Sequence, residues 1–490
     1  MTDTGGIIDA ARYLREVRPI DPEEIFEYVE GRPHPAVVRQ TLREHAFDLG
    51  LRERDDGTFV PVAEEPVEPW ARRGPPESDD TVGTGGVEAF PEAHARRLED
   101  LLVDRFGPGW PDGETGDRLR DRIDRLKTEY FAGEPVEYDD ETALAYALYH
   151  VPDYYAAIQY VLDDLAADGL LDRRLRVLDV GAGTGGPALG LHDYLPEASV
   201  VDYHAVEPSP AAAVLDHLLE GTRPSFHATI HRERAEEFSP EGTFDLLVFA
   251  NVVSELQDPA DVLDRYLEVL ADDGTLLALA PAEERTATRL REVERALVDR
   301  RDDTTVYAPT IRLWPDHEPA DRGWTFRRER DLVVPGFQRR LDEGSRGGER
   351  DGEPGGEAPS RGTYVNVDVQ FAYLLLRLDG RRAIEYTPDP SRVARMAEMD
   401  RHVTERIDLV ALKLSPDLSD GGNPLFKVSD GSERIDHYAV LTRESALNEV
   451  LEDAPYGALL RFENVLVLWN DDEDAYNLVV DGETVVDRLA

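Results

Sequence analysis

The residues best suited to chemistry lie close together: Asp179, Gly181, Gly183 and Gly185 occupy alternate positions within residues 176–190, RVLDVGAGTGGPALG. An apolar run carrying one acid breaks into glycines before small helix-forming residues resume, the pattern of a strand, a tight turn and a helix. Glycines there let backbone amides approach a ligand lying over the helix N-terminus, because no side chain intervenes. A second apolar run, 201–206, ends at Glu207, 22 residues after Gly185, the offset of a carboxylate that receives ribose hydroxyls. The combination reads as a cradle for a nucleotide cofactor, with Asp179, Gly181, Ala182, Gly183, Gly185 and Glu207 as its candidate residues. A glycine turn with a purely structural role is the alternative.

Further elements must hold that cradle in place. Strands are expected at 226–231, 244–249 and 275–280, with a helix at 260–269, the alternation of a doubly wound α/β sheet. Ligands of such sheets bind at the carboxyl ends of the strands, which adds Ala235 and Asn251 to the candidate cofactor residues. The spacing of acid and glycines resembles the Asp-x-Gly-x-Gly-x-Gly signature of class I S-adenosylmethionine methyltransferases. A dinucleotide dehydrogenase is the rival, but its fingerprint keeps two residues between the second and third glycines, and this chain has one there. The resemblance implies that Asp179 supports the turn and the methionine end of S-adenosylmethionine, while Glu207 holds the ribose. Where many members carry an acid for the adenine amino group this chain has Arg234, leaving adenine to the backbone or to Glu236.

Segment 249–256, FANVVSEL, stands where the transferred methyl would point. Asn251 and Glu255 are its candidate catalytic groups; each equally suits lining a pocket or capping a helix. The chain has no cysteine. That excludes disulfides, thiolate metal sites, cysteine attack on pyrimidines and chemistry on a thiolate-held iron–sulfur cluster. Methyl transfer here would be direct displacement onto oxygen or nitrogen, with positioning as the main catalytic device. No metal site is expected.

With 490 residues, three or four domains are expected. The 102 acids outnumber the 54 bases to give a net charge of −48, and all the bases but Lys127, Lys413 and Lys427 are arginine. An acid excess spread over a folded chain suits a halophilic archaeal cytoplasm, where about 1 M salt shortens screening to roughly 3 Å and local patches decide partners. No apolar run approaches 18 residues and the first residues lack the basic and apolar regions of a signal peptide, so a cytoplasmic location without membrane contact is expected.

In chain order, residues 1–62 suggest a winged helix. Asp21, Pro22 and Glu24 open a helix that Gly31 ends, Pro35 opens another, and Asp56-Gly57 marks a hairpin. Residues 31–54 hold five arginines against three acids, which makes Arg39, Gln40 and Arg43 candidate nucleic-acid contacts, with protein docking as the alternative. Residues 63–90 are rich in Pro, Gly and acids, as in a flexible linker. A methyltransferase-like domain spans 91–390, with a helical part at 91–170 and a disordered insertion at 344–362. Tyr146, Tyr149, Tyr154 and Tyr155 in the helical part suit either a pocket cover or, preferably, core. In 391–490, strand-like runs at 407–414, 425–428, 437–441, 459–468 and 476–480 surround a helix at 444–451, the order of an OB-like barrel. Phe426, Tyr438, Phe462 and Trp469 could stack bases beside Lys413 and Lys427, or fill the barrel. The overall class is therefore α/β: a Rossmann-like doubly wound sheet with an N-terminal winged helix and a C-terminal OB-like β-barrel.

A narrower resemblance rests on several motifs in one order. ETALAYALYHVPDYYAAIQYVLDDL, the glycine turn, FDLLVFANVVSELQDP, YAP at 307–309, WTF at 324–326 and VQFAYLLLRL at 369–378 together resemble the methyltransferase-like family of the mitochondrial small ribosomal subunit, with its bacterial and archaeal relatives. The resemblance covers residues 90–380. It implies a factor acting on the small ribosomal subunit and its RNA, and cysteines after YAP and near WTF that in many relatives hold an iron–sulfur cluster. Here those places have Thr310 and Thr325, and nearby His317 stands without partner ligands, as a surface residue would. Two alternatives remain at this stage: a non-catalytic assembly factor that uses the pocket structurally, and a DNA-bound regulator built on the winged helix.

Overall fold

The computed structural model describes residues 4–54, 56–73, 82–83, 85–132, 139–344 and 362–490. They pack as two compact units, Met1–Val248 with Arg330–Val369, and Phe249–Glu329 with Gln370–Ala490.

The first unit begins with four helices and a hairpin: α1 (Thr4–Leu14), α2 (Pro22–Ile25), α3 (Pro35–Glu44), α4 (Ala46–Leu49), then β1 (Leu51–Glu53) antiparallel to β2 (Phe59–Pro61). Pro35 sits in the first turn of α3 and the His34 side chain accepts the Ala36 N–H, so the helix start is fixed locally. Ile7, Ala11, Leu14, Ile25, Val38, Leu42 and Phe59 close a small core. This is the winged-helix order, with one difference. The helix expected to run to Gly31 stops at Ile25 and tightens into a 3₁₀ turn, Phe26–Tyr28.

The expected flexible linker at 63–90 is anchored in its described part. Val67, Trp70, Val87 and Phe90 are buried, and the Trp70 backbone N–H donates to Asp163 Oδ1 at 2.7 Å. Four apolar side chains outweigh a composition that otherwise reads as solvated. A short ladder of β3 (Val82–Gly83) and β4 (Gly86–Val87) follows, while 74–81 and 84 lie outside the described residues.

Helices α5 (Glu92–Phe106), α6 (Gly113–Ala132) and α7 (Asp140–Ala167) lead into the sheet. Strand β5 (Arg174–Val180), helix α8 (Gly186–Tyr194), β6 (Val200–Val206), α9 (Ala211–Leu219) and β7 (Phe226–His231) alternate as expected, and β8 (Phe244–Ala250) carries the chain from the first unit into the second. The parallel order is β8-β5-β6-β7, so β5, with its apolar residues buried, lies between β8 and β6.

The second unit holds α10 (Pro259–Leu267), β9 (Leu270–Pro281), α11 (Glu284–Arg300), β10 (Thr305–Ala308) and β11 (Arg327–Arg328). The chain returns to the first unit for α12 (Gly336–Gly344), and residues 345–361 of the expected insertion lie outside the described residues. Then β12 (Gln370–Arg377) pairs antiparallel with β9, β10 and β11.

The barrel comprises β13 (Arg406–Lys413), β14 (Leu425–Ser429), β15 (His437–Leu441), α13 (Val450–Asp453), β16 (Leu459–Asn470) and β17 (Ala475–Val480), with β18 (Val485–Arg488) on β16. Its ring runs β13-β14-β15-β17-β16 and closes from β16 to β13, with only the β15–β17 contact parallel. Five strands in that order, with a helix between the third and fourth, make an OB-type barrel. Phe426 and Phe462 fill its interior.

Candidate functional site

The glycine turn leaves the carboxyl end of β5 and is tied to the end of β6, because the N–H groups of Gly181 and Ala182 both donate to Val206 O. Gly181, Gly183 and Gly185 have φ of 72°, 55° and 93°, the left-handed region that glycine enters without a Cβ penalty. They differ in what a side chain would meet. At Gly183 a Cβ would find only Gly181 O, at 3.9 Å, so the space over the turn is open. At Gly185 it would strike Leu215 of α9 at 2.6 Å, and at Gly186 and Gly190 it would strike the backbone oxygens of Val151 and Tyr155 on α7 at 2.9 and 2.5 Å. One pair of glycines shapes the turn; the others let α8 pack against α7 and α9.

Glu207 braces the cradle. Its Oε2 accepts the Gly183 N–H and its Oε1 the Ser209 N–H, both at 2.9 Å. Each oxygen keeps a further lone pair for a ligand hydroxyl. Asp179 is buried; its Oδ2 accepts the Tyr203 hydroxyl at 2.5 Å, and its Oδ1 has no hydrogen-bond partner. Burial pushes the Asp179 carboxyl up to about 7; the nearby Glu207 charge adds to the shift and the Tyr203 hydrogen bond opposes it. An unfilled buried acceptor beside an open turn braced by a carboxylate with spare lone pairs fits a ligand that carries a cation and hydroxyls. Tyr203 escaped the sequence reading, since one tyrosine in a mainly apolar strand looks like core.

Ala235 is buried in the loop after β7, while Arg234 beside it is exposed and lies 3.6 Å from Glu236. In the second unit Asn251 takes φ of 61° and donates its N–H to Leu279 O, and Glu255 is exposed. Of the α7 tyrosines, Tyr155 is core and donates to Asp193. Tyr146, Tyr149 and Tyr154 are half-buried; His150 stacks on Tyr154 with ring planes 9° apart.

His94, His192 and Asp193 bring ligand atoms within 4.8 Å of one another, the spacing of a possible metal site. The Arg223 N–H donates to His192 Nε2, which leaves the ring proton on Nδ1, facing Asp193 at 2.6 Å. With Nδ1 occupied by that proton, the cluster is a hydrogen-bonded brace between α5 and α8. Thr310 and Thr325 are buried; their hydroxyls meet Tyr307 O and the Tyr456 hydroxyl.

The basic groups expected to meet nucleic acid have other partners. Arg43 forms a bidentate pair with Glu53, and Arg39 lies 3.6 Å from the same carboxylate. Lys413 and Lys427 are both buried, contrary to a surface role. Lys413 Nζ donates to the Glu452 and Ala454 carbonyls, and Lys427 Nζ is held by Asp321 and Asp436. His317 is half-buried and accepts from Arg395 Nη1 at 3.0 Å. Among the described residues, no helix is long and apolar enough to cross a membrane.

A family model described as a methyltransferase domain matches residues 149–333, and the N-terminal and C-terminal models of a family described as a domain of unknown function match 5–55 and 397–489. No curated protein matches in sequence. Solved structures similar to the chain include the plantazolicin methyltransferase BpumL in complex with SAH, at 12% identity over 43% of this chain and 81% of that one, with a TM-score of 0.27. The CcbJ methyltransferase from Streptomyces caelestis is 22% identical over 28% of this chain and 52% of its own, with a TM-score of 0.21. A third, an S-adenosylmethionine-dependent methyltransferase from Clostridium acetobutylicum, is 12% identical over 35% and 60%, with a TM-score of 0.23. The strand order, the glycine cradle and the domain match define a Rossmann-like, methyltransferase-like domain.

Proposed function

We propose that the chain is an S-adenosylmethionine-dependent methyltransferase acting on small-subunit ribosomal RNA or on the assembling small ribosomal subunit. The observation that carries the cofactor half is the Asp179–Glu207 cradle, in which a buried carboxylate oxygen lacks a partner beside an open turn. The substrate half is supported by the order of motifs along residues 90–380 and by the winged-helix and OB-type modules at either end. The cofactor supplies an electrophilic methyl group. The chain's residues bind and orient it: Glu207 takes hydroxyls, and Asp179 answers positive charge. Direct transfer to a substrate oxygen or nitrogen releases a neutral thioether and the acceptor's proton.

Calorimetry with S-adenosylmethionine, followed by tritiated methyl transfer to immature small subunits, tests both halves. Binding abolished in Gly181→Arg and transfer abolished in Asp179→Ala are the expected results. Binding without transfer would leave a non-catalytic assembly factor, and no binding at all would end the proposal.

A further inference from the structure

The second unit contains a cavity of about 420 Å³ that no step above uses. Its walls include Trp314, Arg392, Arg395 and His402, with Glu398 and Asp408 also on the lining. The two acids are engaged elsewhere: Glu398 pairs with Arg401 at 3.1 Å, and Asp408 Oδ1 accepts the Asn464 N–H at 2.8 Å. Arg392 is exposed; its backbone N–H donates to Asp389 O, and its guanidinium charge acts on the nearby Asp389 carboxylate. Arg395 lies over the Trp314 ring, 4.5 Å from its centroid, and its Nε is buried without a hydrogen-bond partner.

The cavity is built, not incidental. The indole N–H of Trp314 donates to Asp430 Oδ2 at 2.8 Å, which fixes the ring and hence the guanidinium plane stacked on it. The same carboxylate accepts the Met396 N–H, and Ala394 N–H donates to Asp408 O, so the backbone on both sides of Arg395 is pinned. With Nη1 committed to His317, the free edge of the guanidinium is Nε with Nη2, two parallel donors whose spacing matches two oxygens of a tetrahedral anion. Arg392 and Arg395 balance Glu398 and Asp408 on the lining, which makes this nucleotide-sized cavity locally neutral in a chain with net charge −48.

We propose that this cavity binds a phosphate group, carried by a nucleotide or by a nucleic-acid backbone, with Arg395 as the bidentate donor and Arg392 and His402 completing the site. It is independent of methyl transfer and is tested without cofactor. Calorimetry on the full chain uses AMP, adenosine and a single-stranded hexaribonucleotide as probes. Arg392→Ala and Arg395→Gln are expected to weaken phosphate-bearing probes at least tenfold, and adenosine not to bind. A hexamer that binds when AMP does not identifies nucleic acid as the source; AMP binding as tightly as the hexamer identifies a free nucleotide. Should Arg395→Gln unfold, Arg392→Ala, an exposed position, still decides. Failure of both phosphate-bearing probes to bind, or wild-type affinity in the foldable variants, overturns the proposal.

Discussion

Two buried carboxylates set the two units apart. In the first, Asp179 has a single hydrogen bond, from Tyr203, and no cationic partner among the described residues. In the second, Asp321 receives Lys427 Nζ and Arg295 Nη2, each at 2.6 Å. Burial works against ionisation in both. At Asp321 the two cations outweigh it and hold the carboxyl well below its usual range, whereas at Asp179 nothing does and the group rises to about 7. A buried charge that its own chain answers fully is a clamp. One that its chain leaves short is kept for a ligand, and its cost falls on the empty protein.

The largest expected effect breaks the clamp. Lys427→Met would leave Asp321 and Asp436 buried without their shared ammonium, a loss of about 3–5 kcal/mol by analogy with other broken buried pairs. Urea denaturation measures it. A loss below about 1 kcal/mol would mean the network is no more than a set of surface-like pairs.

Asp179→Asn should act with the opposite sign. The folded-state value of about 7 exceeds the ordinary 3.8, so the fold favours the neutral acid; that advantage is complete below about pH 4 and is lost as the pH rises through 7. The amide, which does not titrate, should therefore stabilise the empty protein at pH 8, with about 4 kcal/mol as an upper limit, and by much less at pH 4. Melting temperatures across that range test it, and cofactor affinity should fall in the same variant. No gain at pH 8 would remove the contrast between the two acids.

A smaller change sharpens it. The Tyr203 hydroxyl stabilises the ionised Asp179, so Tyr203→Phe should raise that carboxyl further and move the pH midpoint of cofactor binding upward, at about 1 kcal/mol for the lost hydrogen bond. A midpoint that stays put would show that another group titrates.

The turn itself was legible because only glycine suits several of its positions, and Glu207 because its offset is set by one helix and one strand. The barrel was legible too: five strand-like runs correspond to the observed ring, although the helix in its slot is only Val450–Asp453 where 444–451 was expected. What failed to show in the sequence was pairing over long separations. Lys413 and Lys427 look like surface bases in a strand pattern, and only the placement of Asp321 and of the 452–454 carbonyls turns them inward. In the same way Trp70 anchors a stretch whose composition says linker, by meeting Asp163, Tyr160 and Tyr194 far along the chain. The rare lysines illustrate the point: the described structure uses all three, Lys127 included, as donors to carbonyls or acids.

At the small end of the scale stand the winged-helix pairs, where both partners reach water. Arg43 donates twice to Glu53, but the arginine remains 45% exposed, so Arg43→Ala should cost under about 1 kcal/mol and less as salt rises. Glu53→Gln is the more informative change, because one carboxylate neutralises Arg43 and also lies beside Arg39. If this face meets ribosomal RNA, releasing both guanidinium groups should tighten binding of a small-subunit RNA fragment several-fold and steepen its salt dependence, since each freed charge can displace a counterion from a phosphate. Unchanged affinity in a variant of wild-type melting temperature would assign these pairs to the fold alone, placing the winged helix with the Asp321 clamp and not with the open acceptor at Asp179.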